Sequence, residues 1–308
     1  MDVLPCHLVE PTPSLKCFVS PLDTQSPDGV PVSRGAPVMR KGLMTMHVEH
    51  VALTDTGCRR SRNEDAFFGC DALKLYVVSD GMGGHRAGDV ASRLVVEGMQ
   101  EYIRREAPRK GGALAPADSG LSCQAACLVD AIGYANRKVW DEARRRSECE
   151  GMGATVSAVW ICGDTFVAAN VGDSPVYCVH GQVIEMVSVP HTLPKEGDHV
   201  LTRAVGVDRE VQADVCESQC YGGDRFVLCS DGLSNLVSEE EILLTVCQQS
   251  AEEASRSLVE LAKARGGDDN ITVMVVTVGA KGAVSGWLRR VFGPFLPGMK
   301  TSARRHGA

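Results

Sequence analysis

Short apolar runs rich in valine and isoleucine recur from His47 to Val278, separated by polar and glycine-containing stretches. Leu73 to Ser79, Thr155 to Ile161, Thr165 to Val171, Arg225 to Ser230 and Ile271 to Val278 have the length and composition of strands covered on both faces. Two longer segments carry a helical period instead. Val90, Leu94, Val95, Met99 and Ile103 form one apolar stripe, and Leu128, Val129, Ile132, Val139 and Trp140 form another. A further helical pair is predicted at 238–249 and 251–264. Strands grouped with one helical hairpin, then more strands with a second helical pair, predict an α+β layered sandwich; a doubly wound sheet is the alternative, and it would alternate strand and helix. Residues 108–121 link the first two helices, and no domain boundary is expected after residue 46.

The ends of the chain lack this patterning. Residues 1–45 hold seven of the fourteen prolines with Ser, Thr and Gly between them, the composition of a disordered arm. Residues 280–308 mix aromatic and basic side chains, among them Trp287, Arg289, Arg290, Phe292, Phe295, Arg304 and Arg305, and Pro294 and Pro297 preclude a long helix there. A poorly ordered tail that covers some of the domain is the plainer reading, and a weak membrane-surface or partner-docking segment is the alternative. The folded domain is therefore expected at 46–279.

An apolar share of 44% over 308 residues is ample for a buried core. The net charge of −7, with no dense basic stripe, argues against nucleic acid as a partner. The thirteen cysteines are scattered, often inside apolar runs such as Trp160-Ile161-Cys162, which fits free thiols in a reducing cytosol better than a disulfide framework. The Cys123/Cys127 and Cys216/Cys220 spacings lack the C-x-x-C pattern of zinc ribbons. No stretch has the length of a bilayer span or the pattern of a signal peptide, so a cytoplasmic protein is expected.

Candidate chemistry lies where apolar runs end. Val77-Val78-Ser79-Asp80-Gly81 and Leu228-Cys229-Ser230-Asp231-Gly232 both finish in Asp-Gly, and Asn170-Val171-Gly172-Asp173-Ser174 ends a third run in the same way. A strand closing on a carboxylate and a turn glycine presents that carboxylate at the rim of a sheet. Asn63-Glu64-Asp65 and Gly267-Asp268-Asp269-Asn270 add two acidic clusters beside strands. Any one Asp-Gly can be merely a turn. Several aspartates converging at neutral pH would repel one another unless cations lay between them, and oxygen-only donors favour magnesium or manganese over zinc. Two such ions can clamp a phosphoryl group for in-line attack by water, which makes a phosphate ester the natural substrate.

Taken in order, these segments resemble the motif series of the metal-dependent protein phosphatases, the PPM or type 2C family, and in particular its bacterial Ser/Thr phosphatase branch. The series runs through Arg60-Ser61-Arg62-Asn63-Glu64-Asp65, Asp80-Gly81-Met82-Gly83-Gly84-His85 with Gly88-Asp89-Val90-Ala91-Ser92, and Gly151-Met152-Gly153-Ala154-Thr155. It ends with the Asp173 segment, Ser230-Asp231-Gly232-Leu233 and Asp269-Asn270-Ile271-Thr272. The resemblance implies a four-layer α-β-β-α sandwich of two antiparallel sheets flanked by helical pairs. It also implies a site for two Mn2+ or Mg2+ ions at one end, with a weaker third. Asp80 would bridge the pair, the Gly81 carbonyl would bind one ion, and Asp231 and Asp269 would complete the other. Asp65, supported by Glu64, would hold metal-bound water, Asp173 with Asp231 would take the third ion, and Arg60 would grip the phosphate. Arg60, Asp65, Asp80 and Asp231 are thus the candidate catalytic residues. Asp65, Asp80, Gly81, Asp173, Asp231 and Asp269 are the candidate metal ligands. His85 is a candidate general acid, and Asn270 a cap for the turn before its strand.

The resemblance implies a protein serine/threonine phosphatase that hydrolyses phosphoserine and phosphothreonine through a metal-bridging hydroxide. Its partners would be phosphoproteins, a bacterial Ser/Thr kinase or its substrates among them, and the enzyme would act as a monomer. Two departures stand out. Pro175 occupies a position where the family often has Arg, and the stretch Pro190 to Val200 is short for a flap beside the cleft. The rival readings are a pseudophosphatase that binds phosphoproteins without cleaving them, and a nucleotide-binding protein using the Gly81 to Gly88 run as a phosphate loop. Retention of Asp80, Asp231 and Asp269 weighs against the first, and the lack of a following Gly-Lys-Ser/Thr against the second.

Overall fold

The computed structural model describes residues 16–18, 46–83, 87–110, 120–195 and 198–279. Two antiparallel sheets stack face to face. The first runs β1 (Lys16–Phe18), β12 (Asp214–Gln219), β7 (Thr165–Val171), β6 (Val156–Cys162), β4 (Leu75–Met82) and β3 (Asp65–Cys70), with the short β5 (Gly153–Ala154) also paired to β4. The second runs β2 (Val48–Asp55), β14 (Ile271–Val278), β13 (Arg225–Cys229), β8 (Val176–His180) and β9 (Val183–Met186). A separate hairpin, β10 (Thr192–Lys195) with β11 (Asp198–Leu201), stands in the stretch expected to be a short flap. Helices α1 (Ala87–Lys110) and α2 (Cys123–Arg145) cover the first sheet. The one-turn α3 (Asp231–Ser234), α4 (Glu239–Gln248) and α5 (Ala251–Ala264) lie on the second.

Three buried clusters fill the gaps between four layers. Leu75, Val77, Val156 and Ala158 pack under Val95, Met99, Leu128 and Ile132 of the first helical pair. On the opposite face of the same strands, Tyr76, Val78, Val159 and Ile161 meet Phe226, Leu228, Met274 and Val276 of the second sheet. Val227, Val273 and Val275 then turn outward to Ile242, Val246, Leu258 and Val259. Alternate residues of β4 and β14 therefore enter different cores, which is why these strands read as unbroken apolar runs. Phe166 and Phe226 meet edge to face, 4.8 Å between ring centres, and fix the spacing of the two sheets.

Helix limits follow from local chemistry. Ser238 with Glu241 and Ser250 with Glu253 form capping boxes at the starts of α4 and α5, and the Ser122 hydroxyl caps α2 by accepting from the Ala125 N–H. The expected helices and the five expected strands are all present, with no expected limit displaced by more than three residues. Among the described residues every ladder is antiparallel, which excludes the doubly wound alternative. Within the arm expected to be disordered, Lys16–Phe18 forms an edge strand against β12, a correction for those three residues. The rest of the arm, the 280–308 tail and His85 lie outside the described residues. Among the described residues no helix is long and apolar enough to cross a membrane.

Candidate active site

Four acidic segments distant in sequence meet at one end of the sandwich. Asp65 opens β3 and is paired directly with Asp80 near the end of β4. Asp231 follows β13 at the start of α3, and Asp269 precedes β14. The Ser230 hydroxyl and the Thr272 hydroxyl both donate to Asp65 Oδ2, at 2.8 and 2.6 Å, tying β13 and β14 to β3 across the two sheets. Asp80 is held through its main chain: its N–H donates to Thr155 Oγ1 at 2.9 Å, and its carbonyl accepts from the Thr155 N–H at 2.8 Å.

The electrostatics mark this as one site. Burial raises the Asp65 carboxyl to about 6, against the lowering effect of its two hydroxyl donors. Asp80 is pushed well above the ordinary carboxylate range by burial first, then by Asp65, Asp231 and Asp269 around it. Asp231 is raised for the same reasons, burial and then Asp269. One carboxyl oxygen each of Asp65 and Asp231, both Oδ1, is buried without a hydrogen-bond partner. Buried, unpartnered carboxylate oxygens crowded by like charge are donors suited to a hard divalent cation. Among the described residues no three His, Cys, Asp or Glu side chains already surround one point at coordination spacing. Part of the charge is offset by Arg60, whose Nη2 donates to Asp269 Oδ2 at 2.7 Å.

Gly81 is where close backbone approach demands glycine. A Cβ there would lie 2.0 Å from the Gly88 carbonyl oxygen and 2.6 Å from that of Glu64, and the Gly81 N–H donates to the Glu64 carbonyl at 3.1 Å. Glu64 itself is half-buried, packs its carboxylate against Gly88, and is raised mainly by burial. Asp173 lines the same groove as Asp231. Its loop is joined to the site through Ser174, whose hydroxyl meets Thr155 Oγ1 at 2.7 Å, and through Gly172, which takes φ +101°.

Several organising residues escaped the sequence reading. Asn270 does more than cap a turn. Its Nδ2 donates to the carbonyls of Thr56 and Arg62 at 2.9 and 2.7 Å, and its Oδ1 accepts from the Glu64 N–H at 2.8 Å. It thus fixes the loop that carries Arg60 and Asp65 onto β14. Thr155, Ser230 and Thr272 lie inside the family-like motifs, and only Ser230 carries a local signal, a hydroxyl directly before the strand-end carboxylate Asp231. His191 was missed outright. It is buried, accepts from the Gly172 N–H at 2.9 Å through Nδ1, and meets Asp214 Oδ2 at 2.8 Å through Nε2.

A two-sheet sandwich with carboxylates gathered at one end defines a class of acidic-cleft, cation-binding folds. Residues 58–264 match the family model described as Protein phosphatase 2C, and the chain belongs to that family. It is 33% identical over 253 residues to the serine/threonine phosphatase stp of Listeria monocytogenes, covering 75% of this chain and 95% of that protein. It is 31% identical to the serine/threonine protein phosphatase PstP of Mycobacterium tuberculosis, but spans only 46% of that protein's length. Among solved structures, it resembles the catalytic domain of PstP in complex with two manganese ions, with TM-score 0.66, 30% identity, and 76% of this chain and 100% of that chain covered. It also resembles PppA, described as a regulatory component of type VI secretion in Pseudomonas aeruginosa, with TM-score 0.65, 32% identity, and coverage of 75% and 98%.

Proposed function

We propose that this chain is a metal-dependent protein serine/threonine phosphatase. The observation that carries the reading is the meeting of Asp65, Asp80, Asp231 and Asp269, from four separate segments, with buried carboxylate oxygens left unpartnered. Family membership and the relatives' names support it. Asp80, Asp231, Asp269 and the Gly81 carbonyl would hold a pair of Mn2+ or Mg2+ ions, with Asp65 behind them. Asp173 and Asp231 would take a weaker third. Such ions supply Lewis-acid stabilisation of the phosphoryl group and lower the pKa of water.

The chain's own residues set the rest. Arg60, half-exposed at the rim, keeps donors free beyond its bond to Asp269, and a guanidinium can turn two parallel N–H groups onto a phosphate. Ser230 and Thr272 hold the Asp65 carboxylate in one orientation and favour its ionised form. Substrates would be phosphoserine and phosphothreonine proteins, a Ser/Thr kinase or its clients among them. The enzyme would work in the cytoplasm as a monomer in signalling. The phosphatase domain would span 46–279 together with the Lys16–Phe18 edge strand, with the rest of 1–45 and 280–308 outside it.

Hydrolysis of p-nitrophenyl phosphate and of a phosphothreonine peptide, with manganese and with chelator, tests this reading. Activity that needs the metal and falls by about a thousandfold or more in Asp231→Ala is expected, in line with loss of a directly engaged electrostatic group. Full activity in chelator, or in a folded Asp231→Ala protein, would contradict it.

A further inference from the structure

The loop carrying Asp173 is joined at several points to the segment that leads into the hairpin. The Val176 N–H donates to Ser188 Oγ at 2.9 Å, and its carbonyl accepts from the Val187 N–H at 2.8 Å. Asn170 brackets Val189 through both side-chain atoms, accepting at 3.1 Å and donating at 2.7 Å. His191 takes both main-chain groups of Gly172: its own N–H donates to the Gly172 carbonyl at 3.0 Å, and its Nδ1 accepts from the Gly172 N–H at 2.9 Å. The Gly172 carbonyl is part of the peptide bond to Asp173, so this contact sets the main chain from which that carboxylate departs. Gly172 cannot hold the conformation by itself. It takes φ +101°, a Cβ there would lie 2.7 Å from Thr155 Cγ2, and glycine has the most conformational freedom to lose.

The state of the histidine ring follows from its partners. Nδ1 accepts, so the neutral ring carries its hydrogen on Nε2, which faces Asp214 Oδ2 at 2.8 Å. Both residues are buried, and burial lowers the imidazole pKa, which favours this uncharged form. Arg203 Nη1 lies 3.1 Å from Nε2, but its hydrogens have acceptors in the Gln212 carbonyl at 3.0 Å and Asp214 Oδ1 at 3.5 Å. Asp214 opens β12 as the ladder partner of Asn170 on β7, so the carboxylate that orients the ring is fixed to the strand from which the Asp173 loop emerges.

We propose that His191, oriented by Asp214, is a positioning residue for Asp173, holding its main chain where the Asp173 and Asp231 carboxylates can share the weaker third ion. The inference rests on the phosphatase reading. Asp173 and Asp231 line one groove from separate segments, and a cation shared by two segments is held only as well as the less constrained one is placed. Asp65 and Asp80 have anchors of their own in Ser230, Thr272 and Thr155. Loss of the His191 contact is therefore felt at the third ion and not at the pair.

The test is Mn2+ binding by the metal-stripped full chain, followed by electron paramagnetic resonance of the free ion, in the parent, His191→Asn and His191→Gln proteins. The Asn Oδ1 falls close to the place of Nδ1 and keeps an acceptor for the Gly172 N–H. The longer Gln amide reaches toward Asp214 instead and leaves that N–H unpaired. His191→Gln should bind the pair within about twofold of the parent and the third ion about tenfold or more weaker, while His191→Asn keeps the third ion within about threefold. Asp214→Ala, which frees the ring without touching the loop, should weaken the third ion in the same direction, and it serves where a His191 variant loses the parent's circular dichroism spectrum. A third ion unchanged in His191→Gln or in Asp214→Ala, or equal weakening of the pair and the third ion, overturns the assignment. Parent protein that takes up two ions and no third also overturns it and leaves the phosphatase reading standing, whereas no uptake at all strikes that reading itself.

Discussion

Asp65 and Asp80 are direct partners in the β3–β4 ladder, so two carboxylates face each other on the same side of one sheet edge. Like charges directly opposite are destabilising in a ladder, and burial deepens the cost. A cation between them would convert that cost into binding. The site is therefore expected to oppose stability wherever it lacks metal.

Asp65→Asn should accordingly stabilise the protein in chelator while abolishing activity. Asn keeps an oxygen for the Ser230 and Thr272 hydroxyls and removes the charge. With the native carboxyl near 6 and its ordinary value 3.8, the relief at pH 7 is on the order of 2–3 kcal/mol. In a domain of this size that is roughly 5–10 °C of melting temperature. Thermal unfolding with EDTA checks it.

The pH dependence has a definite sign. Asp65 is raised in the folded state, so between about pH 4 and 6 the native protein binds more protons than the unfolded chain. The contribution is therefore favourable at acid pH relative to neutral pH and is lost as pH rises through about 6. In chelator, the melting temperature of the parent minus that of Asp65→Asn should become more negative from pH 4.5 to 7. A flat difference would contradict the raised carboxyl.

Thr272→Val removes a 2.6 Å donor from Asp65 with little change of shape at a fully buried position. A hydrogen bond to a charged group contributes about 1.5–3 kcal/mol, so kcat should fall by roughly tenfold or more with the fold intact. Steady-state kinetics alongside circular dichroism would show it. Unchanged kcat would mean that Asp65 needs no such anchoring.

Asn270→Ala deletes three hydrogen bonds to the 56–64 loop. Leaving those main-chain groups unpaired should cost about 2–4 kcal/mol and release Arg60 and Asp65 from their setting. Both a lower denaturation midpoint and weaker metal-dependent activity are expected, and hydrogen exchange should quicken in residues 56–64 before the β14 core.

Much of this was readable from the residues because strand ends and acidic turns coincide. The runs at Thr165–Val171 and Ile271–Val278 became strands with those limits, since both faces of β7 and β14 are covered and no polar alternation blurs them. The edge strands were less visible. β9, Val183–Met186, alternates exposed and half-buried positions over only four residues, too few to show a period, and β12 carries Asp214 and Glu217 within its length. Asp80, Asp231 and Asp269 could be singled out because each terminates or precedes an apolar run. His191 could not, since its partners Gly172 and Asp214 lie 19 and 23 residues away and nothing local marks a buried histidine. Asn270 was visible only as a turn residue, because its bonds reach back more than two hundred positions.

Isothermal titration of metal-stripped protein with Mn2+ tests the central claim most directly. Uptake of two ions per chain is expected, falling in Asp80→Asn and Asp231→Ala proteins that retain their circular dichroism spectra. A correctly folded parent protein that takes up no manganese and no magnesium would contradict the account.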